Sequence, residues 1–195
     1  MKLAEYEFPL LMVENFIPDV EIKRIWNEID ELNLFLKQPE ETGSARDVEN
    51  NYKKKNKACW VDEVYGPARH TSFIINLMQR IYSPEFIKQA QNLHWFYNYL
   101  PDTNVDSTLL SVYENGDLYR SHADVATITT LLWLWKEPKV FSGGDMIFHK
   151  KYNFPIQNNM LVMFPSCIQH EVTEVIMNDA PGFGRYTITN FAQLQ

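Results

Sequence analysis

The hydrophobic pattern divides the chain into a helical first half and a strand-rich second half. Glu7 to Val13 is a short apolar run, read as a first strand that Pro9 keeps near a sheet edge, because proline has no amide proton for a ladder. After Pro18-Asp19, apolar residues recur at Ile22, Ile25, Trp26, Ile29 and Leu32. Spacings of three and four put them on one face of an amphipathic helix that covers a sheet. A second helix is predicted through Phe73, Leu77 and Ile81. A third opens at Ser83-Pro84-Glu85, with Ser83 as N-cap, Pro84 at the first helical position and Glu85 at the positive end of the dipole. Between the first two helices, residues 37–57 have no period. Pro39, Gly43, Ser44, Asn50 and Asn51 form turns, and the lysines among residues 53–57 read as a solvated face. A long irregular segment inside a compact domain reads as either a functional lid or disorder; as a lid it would run on through Ala58-Cys59-Trp60.

From Leu93 onward the pattern turns to short β-branched and aromatic runs. Residues 94–100, 108–113, 118–124, 127–135, 145–149, 160–164, 170–175 and 186–191 all read as strands. Asn115-Gly116, Ser142-Gly143-Gly144, Asn158-Asn159 and Pro181-Gly182 separate them, the first being the preferred type I′ hairpin pair. Helices followed by about eight strands predict an α+β, mainly β chain: a jelly roll, cupin-like, with supporting N-terminal helices. The expected organisation is one domain over 1–195, with 1–92 as helical support and flap and 93–195 as the jelly-roll core.

Composition narrows the function classes. With 195 residues, 45% hydrophobic and 14% aromatic, the chain can bury a substantial core, which excludes disorder. A net charge of −7 argues against a nucleic-acid partner, which needs a basic footprint. Cys59 and Cys167 offer neither a disulfide framework nor a Cys-x-x-Cys metal pair, and Cys167 reads as a small apolar filler. The start lacks the basic and apolar regions of a signal peptide, and no apolar run approaches the ~20 residues of a membrane span. The expectation is a soluble, cytoplasmic protein with no membrane partner.

Chemistry concentrates downstream. In a strand, residues two apart share a face, so His122 and Asp124 of Ser121-His122-Ala123-Asp124 can present an imidazole and a carboxylate side by side. His170, in Gln169-His170-Glu171, can close a third corner. Two histidines and a carboxylate leave open coordination positions, the set associated with non-haem Fe(II) oxygenases. The plain alternative is a core histidine beside a surface aspartate. Arg185 shares its parity with Thr187 in the last strand. A guanidinium fork beside a hydroxyl suits a carboxylate, and burying that charge among Tyr186, Ile188 and Phe191 requires an anion. His70, His94 and His149 have no partner spacing and read as surface or core histidines. Trp133 and Trp135 alternate with Leu132 and Leu134, so one pair should be core and the other face a pocket. Tyr119 is a candidate for substrate contact.

These residues in this order carry a resemblance. Ser111-Val112-Tyr113-Glu114-Asn115-Gly116 through His122-Ala123-Asp124, then residues 141–148 (Phe-Ser-Gly-Gly-Asp-Met-Ile-Phe), His170-Glu171-Val172 and Arg185-Tyr186-Thr187 resemble the Fe(II)/2-oxoglutarate-dependent oxygenases, in their prolyl-4-hydroxylase-like branch. The resemblance covers roughly residues 93–193. It implies a double-stranded β-helix, with iron on His122, Asp124 and His170. It also implies that Arg185 and Thr187 bind the distal carboxylate of 2-oxoglutarate, and that Tyr113 lines the co-substrate pocket. Collagen-type prolyl hydroxylases carry Lys where Arg185 stands, so the chain departs from them there. The implied reaction is hydroxylation of an amino-acid side chain, peptidyl prolyl or in a free amino acid. It would consume O2 and release succinate and CO2, with ascorbate as a candidate reductant. Two other readings stand beside it: a cupin-like metalloenzyme without 2-oxoglutarate, and a non-catalytic ligand-sensing jelly roll.

Overall fold

The computed structural model describes residues 1–195 except Glu5, Asp179 and Gln195. Its helices are α1 (Asp19–Leu32), α2 (Pro39–Thr42), α3 (Val61–Tyr65), α4 (Phe73–Met78) and α5 (Pro84–Leu93). Its strands are β1 (Lys2–Leu3), β2 (Leu11–Glu14), β3 (Lys57–Trp60), β4 (Val105–Tyr113), β5 (Tyr119–His122), β6 (Ile128–Leu134) and β7 (Phe141–Gly143). They continue with β8 (Met146–Phe148), β9 (Tyr152–Phe154), β10 (Met160–Pro165), β11 (His170–Val172), β12 (Val175–Met177) and β13 (Arg185–Gln193). The larger sheet has the order β1-β2-β10-β6-β13-β4-β3, and a smaller one has the order β5-β11-β8-β9. Strands β12 and β7 form a separate pair. Every pairing is antiparallel.

The large sheet is buried on both faces, and the two-residue period sorts its side chains. Ile128, Leu132 and Leu134 of β6 pack with Ile25, Ile29 and Leu32 of α1 in one apolar cluster. Leu131 and Trp133 face the other way, into a second cluster with Phe148, Phe154 and Phe164 between the sheets. Trp135 joins that second cluster, so both tryptophans are core. As its spacing predicts, α1 buries Ile25, Ile29 and Leu32, and α5 is capped by the Ser83 hydroxyl, which accepts from the Phe86 amide at 3.3 Å. The second helix splits into α4 and a 3₁₀ turn over Gln79–Tyr82.

Several predicted strands differ. Residues 94–100 are not a strand but part of a 3₁₀ run, Trp95–Asp102. Aromatic content favours strands, but here His94 Nδ1 accepts from the Phe96 amide (3.1 Å) and starts a turn. Buried Tyr97 then fixes that turn, accepting from the Leu11 amide (3.0 Å) and donating to the Met163 carbonyl (2.9 Å). The 170–175 strand breaks at Thr173-Glu174, and β3, β7 and β9 were too short to show a period. The Asn115-Gly116 turn has positive φ only at Gly116 (83°), which makes it type II rather than I′. Cys167 is exposed rather than a filler, while Cys59 is buried, its thiol pushed up to about 12 by burial.

One polar contact joins the helical layer. The buried Glu28 carboxylate on α1 accepts from the Ser72 hydroxyl and from the Ile74 amide (2.9 Å) at the start of α4. Glu28→Ala would leave both donors without a partner in the core. Urea denaturation should then show a loss of about 3 kcal/mol.

Candidate active site

Strand β5 pairs with β11 so that His122 lies directly opposite His170, their ring centroids 4.3 Å apart. Asp124 completes the group, although it lies past the end of β5 rather than on its face. Same-face parity is therefore not what aims it. Its amide donates to the Ser166 carbonyl (3.0 Å), and its Oδ2 accepts from the Thr129 hydroxyl (2.7 Å). Thr129 gives its one proton to that carboxylate, so the Ser166 hydroxyl, 2.8 Å from Thr129, donates in turn. Asp124 Oδ1 stands 3.6 Å from His122 Nε2, and Oδ2 stands 3.5 Å from His170 Nε2. One ligand atom from each of the three residues lies within 4.8 Å of the others.

Both imidazoles are oriented alike. His122 Nδ1 lies 2.9 Å from the Arg120 carbonyl, and His170 Nδ1 lies 2.9 Å from that of Ile168. A carbonyl can only accept, so each Nδ1 carries the proton and each Nε2 lone pair turns toward Asp124. Burial, followed by the neighbouring His170, pushes His122 down to about 2, so its ring is neutral. Tyr119 stacks on it, with centroids 3.5 Å apart and planes 13° from parallel. This is the arrangement a divalent cation needs: two imidazole nitrogens and one hard oxygen around a common point.

The same cavity holds Arg185, Thr187 and Tyr113. Arg185 is 1% exposed, and its Nη1 donates to the Thr187 hydroxyl at 2.8 Å, as the parity of β13 requires. Among the described residues its Nε and Nη2 have no partner. The guanidinium lies 4.9 Å from the Tyr113 ring centroid. Burial lowers Arg185 to about 10, against the pull of Tyr113 and Asp145, and pushes the Tyr113 phenol upward. A buried guanidinium with two idle nitrogens, carrying three N–H bonds, is a receptor for a planar anion. Gly144 makes room for it: at φ 67°, a Cβ there would lie 2.8 Å from Arg185 Cδ.

The comparison with known families decides among the readings: residues 108–193 match the 2OG-Fe(II) oxygenase superfamily. This segment belongs to that superfamily. Among curated protein sequences none matches the chain. Among solved structures, a Pseudomonas putida prolyl-4-hydroxylase is similar at TM-score 0.61 and 15% identity, over 97% of this chain and 94% of that one. A 2OG-Fe(II) oxygenase family oxidoreductase from Burkholderia pseudomallei is similar at TM-score 0.59 and 14% identity, over 95% and 85%. The viral collagen prolyl hydroxylase of Paramecium bursaria Chlorella virus-1, a 2OG complex, gives TM-score 0.55 at 13% identity, over 94% of each chain. At these identities the likeness is one of fold, and the two facing sheets are those of the oxygenases' double-stranded β-helix. The superfamily works with Fe(II), 2-oxoglutarate and O2. The donor set and the idle guanidinium fit that pair of groups.

The oxygenase cavity also holds residues that the sequence pattern hid. Lys54 and Asn56 line it from the predicted lid, and Ser111 and Thr189 from β4 and β13. The lysine run is not wholly solvated: Lys55 and Lys57 are exposed, but Lys54 is 4% exposed and Lys53 donates to the Ser121 carbonyl at 2.8 Å. Period two was the available signal, since Lys54 and Asn56, ahead of β3, and Ala58, within it, alternate inward. Of the predicted lid, Ala58-Cys59-Trp60 are instead part of β3 in the large sheet, and the segment before them is tied to β5. Lys55 donates to the Leu118 carbonyl (3.0 Å), Arg120 to that of Lys53 (2.9 Å), and the Ala45 amide to the Tyr119 hydroxyl (3.1 Å). His70, His94 and His149 stay outside the cavity lining. Leu131, rather than either tryptophan, lines its wall.

Proposed function

We propose that the chain is an Fe(II)- and 2-oxoglutarate-dependent dioxygenase that hydroxylates an amino-acid side chain, peptidyl prolyl or in a free amino acid. In this reading 1–195 forms one domain working in a reducing cytoplasm, a placement supported by two free cysteines. No described helix is long and apolar enough to cross a membrane. His122, Asp124 and His170 would hold the metal, Arg185 and Thr187 the co-substrate's distal carboxylate, and Tyr113 would line the co-substrate pocket. The observation that carries this reading is the three-residue cluster sharing a cavity with a buried guanidinium, two of whose nitrogens have no partner among the described residues.

When bound, Fe(II) and 2-oxoglutarate supply the O2 chemistry that hydroxylates a substrate C–H bond and releases succinate and CO2. The protein's part is positioning. The Arg120 and Ile168 carbonyls keep both Nε2 lone pairs available, and Thr129 keeps Asp124 turned inward. Arg185 fixes one end of the co-substrate so that its other end is presented to the metal. Buried Leu131 and Met146 wall the cavity against water. The cupin-like reading leaves Arg185 without a purpose.

The test is anaerobic titration of 2-oxoglutarate into the Fe(II)-loaded protein, followed by succinate release in air. Saturable binding with a metal-to-ligand absorption band, and succinate formed only when Fe(II) is present, are expected. A protein that takes up Fe(II) but binds no 2-oxoglutarate would return the cupin-like reading.

A further inference from the structure

Lys54 has a charge for which the oxygenase reaction has no use. It is 4% exposed, and its Nζ donates to the Thr42 hydroxyl at 2.9 Å. Among the described residues no carboxylate forms an ion pair with it. Burial alone lowers it, to about 8. A neutral hydroxyl does not offset the desolvation of an ammonium, so the empty protein carries a destabilising cation here.

Its position says what the cation faces. Lys54 lines the inner cavity with the metal-ligand cluster. It also lines an adjoining outer cavity of about 400 Å³, walled by Trp60, Phe191, Leu109, Val125 and Tyr119. The two cavities share Lys54, Leu109, Tyr119, Asp124 and Phe191, so they meet beside the metal-binding carboxylate. Besides the two histidines, the charged residues lining them are Lys54, Asp124 and Arg185. With the proposed cofactors in place, Fe(II) and Arg185 bring three positive charges, and doubly charged 2-oxoglutarate and Asp124 bring three negative ones. Lys54 is left over, between the reacting centre and an apolar vestibule.

We infer that the outer cavity is the site of the primary substrate and that Lys54 binds a carboxylate on it. The substrate class is a molecule with an apolar body and one free carboxylate: a small acid such as a free amino acid, or the C-terminus of a peptide. An internal prolyl or other uncharged peptidyl residue has no carboxylate to give and would leave the buried Lys54 without a counter-charge. This rests on the oxygenase reading of the same site and narrows it to a carboxylate-bearing substrate.

The test uses protein loaded with Mn(II) in place of Fe(II) and with 2-oxoglutarate, without O2. Matched acids and amides are titrated by calorimetry: the free apolar L-amino acids, their N-acetyl forms, and short proline-ending peptides, each against its carboxamide. At least one acid should bind ten-fold or more tightly than its amide. Which arm shows the preference separates a small acid from a peptide terminus. Lys54→Met should abolish the preference while leaving 2-oxoglutarate binding unchanged, and Lys54→Arg should keep part of it. Thermal melting of empty Lys54→Met should occur at or above the wild-type temperature, because a buried unpaired charge is gone. A purely structural lysine would lower it instead. Equal binding of every acid and amide by wild type, no binding of any acid, or a preference that survives in Lys54→Met overturns the inference. If Lys54→Met weakens 2-oxoglutarate binding, the lysine serves the co-substrate and the inference fails. If Lys54→Met does not fold, the wild-type acid and amide pairs decide alone. A wild type that takes up neither Mn(II) nor 2-oxoglutarate overturns both this inference and the oxygenase reading.

Discussion

Asp124→Ala and His170→Ala should each reduce succinate formation below detection and weaken Fe(II) binding by at least ~100-fold, more than the loss of an outer-shell partner. The reason is geometric. The ligand atoms of His122, Asp124 and His170 lie within 4.8 Å of one another, so removing one opens a third of the donor set at once. The fold should survive both changes. His170 is on β11 in the smaller sheet, and Asp124 lies on a loop, away from the helix-covered core around Ile29 and Leu132. Metal content by elemental analysis and melting by circular dichroism check the two halves of the prediction. Unchanged iron stoichiometry and turnover in both variants would remove the metal assignment.

The second large effect concerns Arg185. Its side chain is buried, with one hydroxyl partner and two nitrogens left without a partner among the described residues, so the co-substrate carboxylate would complete it. Arg185→Ala should weaken 2-oxoglutarate binding by roughly two orders of magnitude, ~3 kcal/mol at ~1.4 kcal/mol per ten-fold. Arg185→Lys should recover part of this, keeping the charge but not the fork. Thr187→Val should cost less, ~1.5–3 kcal/mol, because it removes one hydrogen bond to a charged group and leaves Nη1 unpaired. In the absence of 2-oxoglutarate the ordering reverses. Burial holds Arg185 near 10, below its ordinary value, so the empty pocket disfavours the charge, and Arg185→Met should melt no lower than wild type. Anaerobic titration followed at the absorption band measures the first set, and thermal melting the last. Equal affinity in Arg185→Ala and wild type would separate this residue from the co-substrate.

What could be read from the chain follows from where the information sits. Arg185 and Thr187 were legible because a regular strand sets their parity, and β13 is regular from end to end. His122 and His170 were legible as types in order, although their meeting depends on the β5–β11 register, which no local pattern encodes. Asp124 was grouped with the histidines by strand parity, yet the strand ends before it, and Thr129 and Ser166 do the aiming. Residues 94–100 were misread because aromatic side chains suit a strand and a packed 3₁₀ turn alike, and tertiary contacts of Tyr97 decide between them. Lys54 stayed hidden because a lysine-rich run looks solvated by composition, and its two-residue alternation becomes meaningful only once β5 lies beside it.

The two kinds of support around the triad differ in what inheritance can alter. The imidazoles of His122 and His170 are steered by main-chain carbonyls, which every residue type at positions 120 and 168 supplies. The carboxylate of Asp124 is steered by the hydroxyls of Thr129 and Ser166, which a single codon change removes. Two corners of the triad are thus insulated from drift in their neighbours, and variation in reactivity among descendants of this chain has its easiest entry through the third.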